Sequence, residues 1–85
     1  MKLDLPFWFR QRQAKAEELA QGSYKVSGPN LPDGVVSIRI AHDLNWRGHL
    51  QAKADGPELA STNEYPTANE AMAAAFELYR VHMIV

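Results

Sequence analysis

Apolar and polar positions follow two rhythms along this chain. From Leu5 to Gln21 the apolar residues Leu5, Trp8, Phe9, Ala16, Leu19 and Ala20 recur at helical spacing and predict an amphipathic helix. Asp4 is placed to cap it, Pro6 suits its first turn, and Gly22 stands where helices commonly stop. Arg12 falls inside the stripe, where its stem can lie on apolar surface while the guanidinium reaches water. Phe7 points away from the stripe, so the consecutive rings Phe7, Trp8 and Phe9 cannot all turn toward one core.

The rhythm then changes to strict alternation. Between Val35 and Ala41, Val36, Ile38 and Ile40 share one side, with Val35, Ser37, Arg39 and Ala41 on the other. Trp46 to Lys53 alternates likewise, setting Trp46, Gly48, Leu50 and Ala52 against Arg47, His49, Gln51 and Lys53. Asp55-Gly56 is a turn signal, and Glu58 to Thr62 reads as a third strand that Pro57 can only begin. Ser23 to Ser27 is an extended segment able to add a fourth strand at the edge, and GPNLPDG after it reads as a loop.

Helical spacing returns at Thr67-Ala-Asn-Glu70, a capping box. Behind it Ala68, Ala71, Met72, Ala75, Phe76, Leu78, Tyr79 and Met83 form a broad apolar face whose alanines permit close approach to a sheet. The expected fold is therefore α+β, one domain over residues 1–85. It has an N-terminal helix, a three-stranded antiparallel sheet extensible to four, and a C-terminal helix packed on one sheet face. Val36, Ile38, Ile40 and Leu50, joined by Trp46 and Leu59, are its expected apolar face.

Composition narrows the functional classes. Without cysteine, disulfides, thiolate catalysis and zinc–thiolate sites are excluded. Nine Lys and Arg against ten Asp and Glu leave a formal charge of −1, unlike the overall basic balance of dedicated nucleic-acid binders. The short apolar patch near the start ends in charge within a few residues. No signal peptide is expected there, and a cytoplasmic location is. No apolar run is long enough to span a bilayer, and a membrane partner is not expected.

Candidate chemistry is sparse. His42, His49 and His82 match no metal-binding spacing, and Ser23, Ser27, Ser37 and Ser61 carry no nucleophile elbow. Asp43, Asp55, Glu58 and Glu64 fall in or near loops rather than across a cleft. No enzyme, cofactor or metal centre is expected.

Partner binding is the leading expectation. The rings of Phe7, Trp8 and Phe9 are one candidate surface, and the apolar tail with Val81 and Ile84 is another, for a protein partner or a second copy of the chain. The alternative is weak nucleic-acid binding by the polar sheet face. If Ala41 pairs with Arg47, then Arg39 lies opposite His49, Ser37 opposite Gln51 and Val35 opposite Lys53. That register gathers Arg39, Arg47, His49, Gln51 and Lys53 into a basic patch.

Val35 to Tyr79, ending Tyr65-Pro-Thr-Ala-Asn-Glu-Ala-Met-Ala-Ala-Ala-Phe, resembles the sheet-plus-helix layout of AP2-type and integrase N-terminal DNA-binding domains. The resemblance is one of layout rather than motif. It implies that the exposed sheet face, with Arg39, Arg47, Gln51 and Lys53, reads DNA.

Overall fold

The computed structural model describes residues 5–29 and 31–83. In chain order it runs α1 (Phe7–Gln11), β1 (Lys15–Ala20), β2 (Ser23–Gly28), β3 (Leu31–Ile40), β4 (Trp46–Gln51), β5 (Glu58–Tyr65) and α2 (Ala68–Met83). The five strands form one antiparallel sheet in the order β1-β2-β3-β4-β5, each strand beside its sequence neighbour. The expected three or four strands are corrected to five.

The correction comes mainly from the first helix. Helical backbone covers only Phe7–Gln11 and then stops. Gln13 takes a left-handed φ of 58°, and the Ala14 N–H donates to the Phe9 carbonyl at 3.2 Å, closing the helix end. Lys15–Ala20 continues as an edge strand, although Ala, Glu, Leu and Lys are good helix formers. Pairing along Lys15–Ser27, Ala16–Val26, Glu17–Lys25 and Glu18–Tyr24 supplies bonds that outweigh that local preference. Gly22 is not a helix cap. It forms the β1–β2 turn at φ 78°, a conformation that glycine adopts freely. Asp4, the expected cap, lies outside the described residues.

Two further boundaries shift. Ser23–Gly28 is an interior strand, bonded to β1 on one side and β3 on the other. Part of the expected GPNLPDG loop belongs to β3, which begins at Leu31 and carries Pro32 and Gly34. The third expected strand extends to Tyr65, with bulges where β5 meets Arg47–His49 and Leu50–Gln51.

The second helix agrees closely with its sequence pattern. The Glu70 N–H donates to the Thr67 hydroxyl at 3.2 Å, and that hydroxyl donates to the Glu70 carboxylate at 2.8 Å. α2 packs on β3, β4 and β5, burying Ala71, Met72, Ala75, Phe76 and Tyr79. Against them lie Tyr24, Val26, Val36, Ile38 and Leu50. Gly48 admits the helix: a Cβ there would stand 2.7 Å from the Ala71 carbonyl oxygen and 2.8 Å from the Ala75 Cβ.

Phe9 closes the core from α1. Its ring meets Phe76 edge-on at 5.0 Å and Tyr79 at 6.0 Å between centroids, with Trp8 on its outer side at 5.3 Å. The Tyr79 hydroxyl donates to the Pro32 carbonyl at 2.6 Å, tying the last helix to the start of β3. Two expected core residues lie at its margin: Ile40 is 56% exposed at the end of β3, and Leu59 is exposed within a bulged stretch of β5. Conversely, Val35 sits on the open face yet is 3% exposed, in a depression lined also by Leu19, Lys25 and Lys53.

Candidate functional site

The open face of the sheet carries most of the polar residues singled out above. Its observed register differs from the expected one by two residues. Ile40 pairs with Trp46, Arg39 with Arg47, Ser37 with His49 and Val35 with Gln51. The cause is the β3–β4 connection, in which the Ala41 N–H donates to the Asn45 carbonyl at 2.6 Å and the Asn45 N–H to the His42 carbonyl at 2.9 Å. Asp43 and Leu44 both take left-handed backbone there, with φ of 52° and 63°. A two-residue shift keeps every side chain on its face but changes its neighbour.

Arg39 and Arg47 therefore stand directly across from each other, an unfavourable arrangement for like charges. Carboxylates from β5 offset it. Arg47 donates to Glu64 at 3.0 Å and Arg39 to Glu58 at 3.4 Å, and His49 Nδ1 also contacts the Glu58 carboxylate. The Arg47 Nε is buried with no partner among the described residues. Gln51 bonds the Gly56 carbonyl at 2.7 Å and so stabilises the β4–β5 connection rather than facing outward. Lys53 lies beyond the end of β4, in that same connection. Within the expected basic patch, Arg39, Arg47 and His49 are thus each paired with a carboxylate, and Lys53 is not. The sequence signal for this was the spacing of Glu58 and Glu64, which only the bulged register of β5 brings opposite the cations.

The N-terminal rings separate sharply. Phe9 is fully buried, Trp8 is half-buried, and Phe7 is 68% exposed. The Arg10 guanidinium stands over the Phe7 ring at 6.0 Å. No carboxylate among the described residues lies within 4.0 Å of Arg10, Arg12, Lys15 or Lys53, whereas Lys25, Arg39, Arg47 and Arg80 are each paired. Of these unpaired cations, Arg10 stands over the exposed ring and Arg12 at the end of α1, while Lys15 belongs to β1 and Lys53 to the β4–β5 connection.

At the other end of the chain Val81 is 54% exposed and edges a groove of about 410 Å³ between β5 and α2. Tyr65, Ala74 and Leu78 form its apolar floor, with Ser61, Asn63 and Glu77 among its polar margins. Ile84 lies outside the described residues. A second cavity, about 480 Å³, is lined by Gln21, Gly22, Ile38, Trp46 and Ala68. No charged side chain lines it among the described residues.

Among the described residues, the histidines do not converge on one another. His42 is exposed in the β3–β4 connection and His82 near the end of α2, while His49 is committed to Glu58. No three His, Asp or Glu side chains among the described residues are grouped to hold a metal ion. Burial, and secondarily the charge of Asp33, raises the Tyr79 hydroxyl above the ordinary tyrosine pKa, but that hydroxyl is bonded inside the fold. No helix among the described residues is long and apolar enough to cross a membrane. Comparison with protein-family models, curated proteins and solved structures returned no match.

Proposed function

We propose that this chain is a small cytoplasmic interaction or accessory module without catalytic activity of its own, contacting its partner through the exposed N-terminal aromatic surface. The observation that carries the reading is the fate of adjacent rings. Phe9 supplies the core contact, whereas Phe7 remains 68% exposed under the Arg10 guanidinium. An exposed ring with an arginine over it and half-buried Trp8 nearby has the residue types enriched at protein-interface hot spots.

The ion pairs of Arg39 with Glu58 and Arg47 with Glu64 weigh against the nucleic-acid alternative, because phosphates would have to compete with carboxylates already in place. Both readings are tested with the purified chain and its Phe7→Ser variant. Each is used to recover proteins from an extract of the source cells, and each is titrated with short DNA duplexes at low and moderate salt. The interaction reading expects proteins retained by the parent chain and lost from Phe7→Ser, with circular dichroism unchanged. Equal retention by both chains, together with salt-sensitive DNA binding abolished by Arg39→Ala and Arg47→Ala, would overturn it.

A further inference from the structure

We infer that the free edge of β1 pairs antiparallel with β1 of a second copy, centred on Ala16. The inference goes beyond the aromatic-surface reading above: it names a second surface, the β1 edge, and one partner for it, this chain itself.

An edge strand offers a row of unsatisfied N–H and C=O groups, and natural sheets usually protect such edges with bulges, charge or a covering element. The two edges of this sheet differ. β5 is interrupted by two bulges. An antiparallel self-pairing of β5 centred on Ser61 would also set Glu58 against the other copy's Glu64, a like-charge contact. β1 is regular from Lys15 to Glu18, with its irregularity confined to the Glu18–Ala20 end.

The charges of β1 are complementary under a two-fold axis perpendicular to the sheet. Centring on Ala16 places Ala16 opposite its own copy, a small residue against a small residue. Lys15 then lies opposite Glu17 of the other copy, and the symmetry repeats the pair. Both side chains are on the open face, because Lys15 lies across from Ser27 and Glu17 across from Lys25, while Ala16 and Glu18 lie across from the core residues Val26 and Tyr24. The neighbouring register, centred on Glu17, would oppose two glutamates, so charge selects one alignment. Lys15 has no carboxylate within 4.0 Å among the described residues of its own chain.

The same pairing addresses the least expected element of the fold. Lys15–Ala20 consists of helix-forming residues held in a strand by a single neighbour. A second neighbour would bond its free side and extend the sheet continuously across the two copies.

The test is a charge exchange read by sedimentation from micromolar to millimolar protein. The parent chain is expected to approach twice its monomer mass as concentration rises, and added salt should weaken the association. Lys15→Glu and Glu17→Lys should each raise the dissociation constant at least about 10-fold, because each sets like charges against each other twice. An equimolar mixture of the two variants should recover the dimer mass, since both cross-strand pairs of the mixed dimer then join a glutamate on one variant to a lysine on the other. Both substitutions are at exposed positions, and unchanged circular dichroism checks the fold. A parent chain that stays monomeric at every concentration overturns the inference, leaving the wider reading to the Phe7→Ser comparison. A dimer indifferent to both reversals also overturns it, but leaves self-association through another surface standing.

Discussion

Replacing Gly48 by alanine tests how closely α2 is seated on the sheet. The added Cβ would meet the Ala71 carbonyl oxygen at 2.7 Å and the Ala75 Cβ at 2.8 Å, with the Thr62 Cγ2 at 3.1 Å. Carbon atoms in contact prefer a separation of about 3.5–4.0 Å, so α2 or β4 must yield by several tenths of an ångström. Two of these contacts belong to α2, one of them its backbone, and no side-chain rotation relieves them. Overpacking of this kind costs about 1–3 kcal/mol. Alanine recovers about 0.4–1 kcal/mol through the lower entropy of the unfolded chain. The net expectation is a loss of roughly 1–2 kcal/mol, which for a domain this small corresponds to a fall in Tm of about 4–16 °C. Urea unfolding followed by tryptophan fluorescence and circular dichroism measures it. Gly56→Ala is the control, because its nearest contacts include the flexible Lys53 side chain at 2.9 Å, and its effect should stay within about 0.5 kcal/mol. Equal or greater stability for Gly48→Ala would refute the close seating of α2.

Other substitutions probe strain, burial and ionisation. Leu44 is 79% exposed at a φ of 63°, so Leu44→Gly should raise stability by about 0.5–1 kcal/mol in denaturant titration, relieving backbone strain without loss of packing. Phe9→Ala should cost about 3–5 kcal/mol, a large share of the stability of a small domain, read as a lower urea midpoint by circular dichroism. Phe7→Ala should change stability by less than about 0.5 kcal/mol. For Tyr79, the folded state favours the neutral phenol and so has the higher pKa. Its contribution is full below the unfolded tyrosine pKa of about 10 and is lost as pH rises through the folded value. Unfolding midpoints measured upward from about pH 9 should therefore fall more steeply for the parent chain than for Tyr79→Phe.

The sequence was most informative where local and tertiary preferences agree. In α2, the Thr67–Glu70 box, the alanine-rich face and the Phe76–Tyr79 stripe all specify the same element. Alternation likewise marked the cores of β3 and β4. It failed at Lys15–Ala20, where residues with helical preference became a strand through pairing with β2. The left-handed backbone at Gln13 that ends α1 has no sequence marker such as glycine. The candidate surface was legible to the same extent. Helical spacing alone set Phe7 apart from Phe9, but the neutral character of the sheet face depended on the β3–β4 register and on bulges in β5. Neither feature changes which residues are apolar, so periodicity carries no record of them.

Placing α2 after every strand has a consequence for synthesis. As the chain is made, successive hairpins can form soon after their second strands appear, since each strand pairs only with its sequence neighbours. The apolar side of the growing sheet stays uncovered until the 16 residues of α2 follow. At roughly 5–20 residues per second, that interval lasts on the order of a second. During it Val26, Val36 and Leu50, once clear of the ribosome, are accessible to chaperones or to other nascent chains.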